Sequence, residues 1–300
     1  MKSALVFSPE VAAAIASNSP IVALESTIIS HGLPRPSNLN VAREVEAIVR
    51  EHGATPATIA ILDGVVHIGL TDEQLVAIAN RDDISKASSR DLAVLVASKK
   101  SAATTVAATA HLAAQAGIKV FATGGLGGVH RGADESFDES ADLTALSKLD
   151  MTVVCAGVKS ILDVGATLER LETLAIGLVG YKTTAFPGFY LTDSGFTIEH
   201  RVDSAAEIAA VIKARESVGT NNAALLVANP VAKEMNRAKH DQILATGLAK
   251  ADAAHITGKD VTPFLLEHFH TTSQGESLSV NIEIIKSNSA LAADIAVASN

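Results

Sequence analysis

Residues 119–156 read KVFATGGLGGVHRGADESFDESADLTALSKLDMTVVCA. A short apolar run at 119–123, KVFAT, gives way to a glycine-rich and then acidic loop. A segment of helical length near 138–147 follows, and a second apolar run, TVVCA, closes the stretch at 152–156. A strand, a helical connection and another strand form the unit from which parallel sheets are built. The alternation continues in both directions. Strands are predicted at 21–24, 57–62, 175–181 and 223–229, and helices near 9–17, 37–52, 72–80, 101–116, 163–173, 204–217, 236–254 and 277–298. The pattern predicts an α/β fold, a three-layer α/β/α sandwich with a mixed, largely parallel sheet. No linker, repeat or Pro/Gly tract interrupts it, so residues 1–300 read as one domain. The Ala-rich segment SAATTVAATAHLAAQAG, at 101–117, fits a closely packed helix ended by Gly117.

Composition narrows the function classes. With 48% hydrophobic but only 3% aromatic residues, the core must be aliphatic. Formal net charge is −9 and no Lys/Arg-rich run is interleaved with aromatics, which argues against a nucleic-acid surface while leaving room for a small anionic substrate. Pro9 and Glu10 break the first apolar stretch, so the N-terminus fits neither a signal peptide nor a membrane span, and the expected location is cytoplasmic. The lone Cys155 excludes an intrachain disulfide framework and a Cys-based structural zinc site; a metal, if bound, would take oxygen ligands.

In open α/β sheets ligands collect beyond the carboxyl ends of strands, so the residues just after each apolar run are the candidates for chemistry. In VALESTIISHG, residues 22–32, an apolar strand ends on Glu25. A desolvated carboxylate there has its pKa raised toward the range of a general acid, although capping a loop or pairing with an arginine would also explain it. The loop at 124–128 carries four glycines in five residues, followed by His130 and Arg131, and would bring backbone N–H groups close to an anion such as phosphate. It matches neither a dinucleotide fingerprint nor a P-loop. Asp138 and Asp142 are four apart, which on a helix puts them on one face, with Asp134 and Glu135 upstream. Such oxygen ligands suit Mg²⁺ or Mn²⁺; the alternative is acids favouring a helix N-terminus. Beyond TVVCA comes Lys159, whose amine, if desolvated, is a nucleophile toward carbonyl-type carbon; Asp163 offers it an ordinary ion pair instead. Lys86, Thr104, Thr105, Val106 and Asn281 are weaker candidates, and His268 and His270, two apart, read as surface or packing residues.

Taken together, VALESTIISHG, ATIAILDG, TTVAATA, FATGGLGGVHRGA, SADL, VVCAGVKSILD, TPFLLE and GESLSVNI strongly resemble the pseudouridine-5′-phosphate glycosidases, the family that includes indigoidine-synthesis protein A. The likeness runs in order from about residue 8 to 298. It implies the indigoidine synthase A-like fold, a homotrimer, one divalent metal, usually Mn²⁺, and reversible cleavage of pseudouridine 5′-phosphate to uracil and ribose 5-phosphate. It places the proton donor on Glu25, the Schiff-base nucleophile on Lys159 and the metal ligand on Asp138. Substrate contacts fall on Lys86, Val106, Ser140, Ala141, Asp142 and Asn281. Pseudouridine joins ribose C1′ to uracil C5, so the protonated electronegative leaving atom of ordinary glycosidases is missing and an electron sink, such as a lysine imine, is needed. Two other readings share these residues: an enzyme acting on a different phosphorylated riboside, and a sugar-phosphate-binding protein without turnover.

Overall fold

The structure is a computed structural model that describes residues 5–300. Its strands are β1 (Leu5–Phe7), β2 (Ile21–Leu24), β3 (Thr55–Leu62), β4 (Val65–Ile68), β5 (Ser85–Ala87), β6 (Ala102–Thr104), β7 (Val120–Ala122), β8 (Thr152–Cys155), β9 (Gly177–Tyr181), β10 (Arg201–Val202) and β11 (Leu225–Ala228). They form one sheet in the order β1-β4-β3-β2-β7-β8-β11-β9-β10, with β5 and β6 branching from β3. Among the described pairs only β3–β4 and β3–β6 are antiparallel.

The helices are α1 (Pro9–Ala16), α2 (Ser37–Glu51), α3 (Asp72–Asn80), α4 (Leu92–Ala97), α5 (Val106–Gln115), α6 (Ala133–Ser136), α7 (Ala141–Leu146), α8 (Val164–Thr173), α9 (Ala205–Val218), α10 (Arg237–Ala253), α11 (Val261–Thr272) and α12 (Glu276–Ala298). Side chains alternate across each central strand, so both faces of the sheet are apolar and both need covering. Val22, Leu24, Val120, Ala122 and Val154 face α2, α9 and α12. Ala23, Phe121, Val153 and Cys155 face the opposite layer, built from α5, α7 and α8. Phe121 is fully buried there, a burial that contributes about 1.5–3 kcal/mol. The three layers and the mixed, mostly parallel sheet agree with the sequence expectation. No helix among the described residues is long and apolar enough to cross a membrane.

Three local expectations are corrected. The helix expected over 101–116 begins only at Val106: Ala102–Thr104 form β6, paired to β3 and β5, and Thr105 caps the helix by accepting the Ala108 N–H. Alanine fits the small space beside β3, where tertiary pairing overrides its helix propensity. The helix expected near 138–147 starts at Ala141, so Asp138 lies outside it and does not share a helix face with Asp142. Helix α11 was not foreseen; its apolar residues Leu265 and Phe269 are fully buried, while Glu267, Thr271 and Thr272 are exposed.

Candidate active site

Strands β2, β7 and β8 are adjacent and parallel, and their register brings Leu24 beside Ala122 and Ala122 beside Val154. The residues one step beyond the ladder are therefore neighbours. Glu25 meets Thr123, whose hydroxyl donates a very short hydrogen bond to the Glu25 carboxylate. The Thr123 backbone is fixed from both sides, its N–H donating to Val154 O at 3.0 Å and its carbonyl accepting from the buried Asn288 of α12 at 2.7 Å. Burial raises the Glu25 pKa above the ordinary carboxylate value, opposed mainly by the positive charge of Lys159 and by the Thr123 bond. The turn after Glu25 is tied down by a knot of buried hydroxyls. Ser26 and Thr104 both donate to Ile59 O at 2.7 Å, and the Thr104 N–H donates to Ser26 Oγ at 2.9 Å.

Beyond β7 and β8 the two loops stay zipped together. Ala156 N–H donates to Gly124 O at 2.9 Å, Leu126 N–H to Gly157 O at 3.0 Å and Lys159 N–H to Leu126 O at 3.2 Å. This seam turns Lys159 back over the glycine loop, where Nζ donates to Gly125 O at 2.7 Å. Asp163 does not pair with it: that carboxylate caps α8, accepting the Ala166 N–H at 2.9 Å.

The glycines serve close packing more than anion binding. A Cβ at Gly125 would lie 2.6 Å from the Phe189 ring, at Gly127 2.2 Å from Ser140 Oγ and at Gly128 2.4 Å from Thr167 Oγ1. The N–H groups of Leu126, Gly127, Val129 and His130 are all spent on protein acceptors, and Arg131 turns away to the carbonyls of Ser160 and Ile161.

Asp142 is buried and accepts from Ala107 N–H and Gly127 N–H, each at 2.9 Å, so it ties the first turn of α5 to the glycine loop. Asp138 is different. Its carboxylate is about one-third exposed, faces the cavity and has His130 Nδ1 3.9 Å away, an imidazole whose pKa burial lowers. Asp134 and Glu135 lie exposed on α6.

The nine residues to which the family resemblance gave a role, Glu25, Lys86, Val106, Asp138, Ser140, Ala141, Asp142, Lys159 and Asn281, line one cavity of about 440 Å³, within the range of small-molecule sites, together with His130 and Thr105; Thr104, Arg131, Asp134, Glu135 and Asp163 are outside its lining. Lys86 projects from β5, and burial together with the nearby Lys159 charge holds its pKa below the ordinary lysine value. Two buried polar atoms in the wall, Thr27 Oγ1 and Asn281 Oδ1, have no hydrogen-bond partner in the protein and so keep capacity for a ligand. His268 and His270 lie outside the cavity lining; His268 is in hydrogen-bond range of Thr246.

Sequence reasoning missed part of the wall. Thr123, which supports Glu25 from behind the wall, could have been found, being the hydroxyl that ends the KVFAT run. Ser88, Arg90 and Phe189 carried no signal, and Thr262, Pro263 and Leu266 were hidden with the unforeseen α11.

For a metal, Asp138 is the open carboxylate of the lining, since Glu25, Glu139 and Asp142 accept hydrogen bonds from Thr123, Arg170 and backbone N–H groups; among the described residues no group of three or more His, Cys, Asp or Glu is placed to hold an ion. One carboxylate suits a hard divalent cation that keeps most of its waters, and excludes a structural zinc cage.

Comparison with known proteins agrees with this geometry. A family profile, Indigoidine synthase A like protein, matches residues 10–298. A pseudouridine-5′-phosphate glycosidase from Salinispora tropica is 58% identical, covering 97% of this chain and 90% of that protein. One from Geobacillus kaustophilus is 51% identical, covering 99% of each. Among solved structures, an indigoidine synthase A-like protein from Thermotoga maritima superposes with a TM-score of 0.88 at 36% identity, covering 98% of this chain and 95% of that one. The prealnumycin C-glycosynthase AlnA, solved with ribulose 5-phosphate, gives a TM-score of 0.91 at 34% identity, covering 100% and 98%. The chain therefore belongs to the indigoidine synthase A-like family.

Proposed function

We propose that this protein is a pseudouridine-5′-phosphate glycosidase that reversibly splits the C1′–C5 bond to give uracil and ribose 5-phosphate. The observation that carries the reading is the placement of Glu25 and Lys159, an acid with a raised pKa and an amine, beyond the ends of β2 and β8, the two strands that flank β7, in the lining of one cavity. The names of the similar proteins support the substrate.

In the cleavage direction Lys159 Nζ bonds to C1′ as the C1′–O4′ bond breaks and the ring oxygen takes a proton. Glu25 then protonates uracil C5. The C1′–C5 bond breaks with its electron pair left on C5, while the lysine nitrogen lone pair forms C1′=N. Water hydrolyses this imine, freeing ribose 5-phosphate and the amine. Lys86 and Arg90 supply positive charge for the phosphate, and Lys86, depressed beside Lys159, regains proton affinity when an anion enters. Asn281 and Thr27 offer their unpaired oxygens to the base. A Mn²⁺ at Asp138 would neutralise charge on substrate oxygens when bound.

The test is incubation with pseudouridine 5′-phosphate and Mn²⁺, followed by chromatography for uracil and ribose 5-phosphate. Absence of both products would overturn the reading. Product only from other phosphorylated ribosides would move it to a related enzyme. The homotrimer belongs to the same proposal and is checked by sedimentation.

A further inference from the structure

The residue next to Lys159 is held from outside the cavity. Ser160 is buried, 6% exposed, and does not line the cavity, but its hydroxyl lies 2.7 Å from Nε2 of His240 on α10. His240 is itself 2% exposed, and its Nδ1 lies 2.9 Å from the carboxylate of Asp241. A carboxylate only accepts, so Nδ1 carries the proton; Nε2 of the neutral ring then accepts from the Ser160 hydroxyl. Burial favours that neutral ring by lowering its pKa, with Asp241 opposing and the charges of Arg237 and Arg131 adding to the effect. The ring is wedged beside Phe269 and Tyr190, centroids 5.3 and 6.4 Å away, so it has little room to turn.

Serine, histidine and aspartate in this order look like a hydrolytic triad, yet a buried Ser160 with no cavity face cannot reach a substrate. What the hydroxyl can do is hold its neighbour. The turn at 159–162 closes through Leu162 N–H to Lys159 O at 2.9 Å, and Arg131 grips the Ser160 carbonyl from the other side.

We propose that His240 is a positioning residue for Lys159: by accepting the Ser160 hydroxyl it fixes the turn that aims the amine at the sugar carbon. The proposal rests on the imine chemistry proposed for Lys159. Misplacing a reacting group by an ångström costs rate more than binding.

The experiment compares wild type, Ser160→Ala, His240→Gln, His240→Leu and the Ser160→Ala/His240→Leu pair. The readouts are cyanoborohydride trapping of ribose 5-phosphate on the Lys159 peptide, kcat, KM and Tm. Ser160→Ala is expected to slow trapping and kcat about 10- to 100-fold with KM little changed. His240→Gln, whose amide oxygen can accept the same hydroxyl, should recover most of the rate. The pair should be no slower than either single loss, because both remove one contact. Wild-type trapping rates in Ser160→Ala would overturn the proposal, as would losses that multiply in the pair. Should His240→Leu fail to fold, Ser160→Ala and His240→Gln decide alone. If the wild type itself gives no adduct at Lys159, the imine reading fails and takes this proposal with it; an adduct formed equally in Ser160→Ala removes the clamp alone.

Discussion

Lys159 Nζ donates to the carbonyl oxygen of Gly125 at 2.7 Å, so the amine rests on backbone and is not locked in an ion pair with Asp163. A backbone carbonyl is released at far lower cost than a buried carboxylate partner. The amine is thus held in place while remaining free to swing off that carbonyl. Lys159→Ala is expected to lose both turnover and the borohydride-trapped adduct with ribose 5-phosphate, read by peptide mass. An adduct persisting on another lysine would move the nucleophile elsewhere.

Glu25→Gln is expected to lower kcat about 100- to 10,000-fold, the usual contribution of a positioned acid, with ligand binding retained. Wild-type cleavage should fall as pH rises through the raised Glu25 pKa, because the proton it donates is lost. Turnover in Glu25→Gln at the wild-type rate would assign the acid to another group.

The same carboxyl predicts a stability change of definite sign. Between the ordinary value of 4.5 and its raised folded value, the native state keeps a proton that the unfolded chain releases, so stability falls as pH rises through this window. Glu25→Gln removes that loss. Its Tm should exceed the wild-type Tm at about pH 8 and converge with it in acid below the unfolded carboxylate pKa. A constant offset at every pH would show that titration of Glu25 is not the cause.

Gly157 has φ +74°, and a Cβ there would lie 2.0 Å from Pro187 O. Gly157→Ala is expected to cost at least about 1–3 kcal/mol from the left-handed backbone alone, and to displace the seam that carries Lys159. Denaturant midpoints measure the first effect and adduct yield the second.

Asp138→Asn is expected to shift the Mn²⁺ titration of activity to higher concentration while leaving Tm nearly unchanged, since the side chain is part-exposed and makes no close ion pair. An unchanged titration would refute Asp138 as the ligand.

The main strands were legible because parallel strands covered on both faces read as short, continuous apolar runs, and the strand-end rule then pointed to Glu25 and Lys159. The short outer strands were not. β6 is Ala-Ala-Thr, with no periodicity to separate it from the helix that follows. The β3–β4 hairpin did carry a signal, Asp63-Gly64 between two apolar runs, with both residues at positive φ as its two-residue turn requires. Asp138 and Asp142 show the limit of spacing: four residues apart, they line one cavity, yet one is spent on backbone N–H groups and one is open, because the helix begins between them.

The seam that continues β7 and β8 through Gly124, Leu126, Gly157 and Lys159 has a last consequence. Scaffold and loop are one hydrogen-bonded fabric, so Lys159 cannot come loose while the sheet stays whole. Heat inactivation of this protein should therefore coincide with melting of the entire fold, with no cooler stage in which a folded but idle enzyme accumulates.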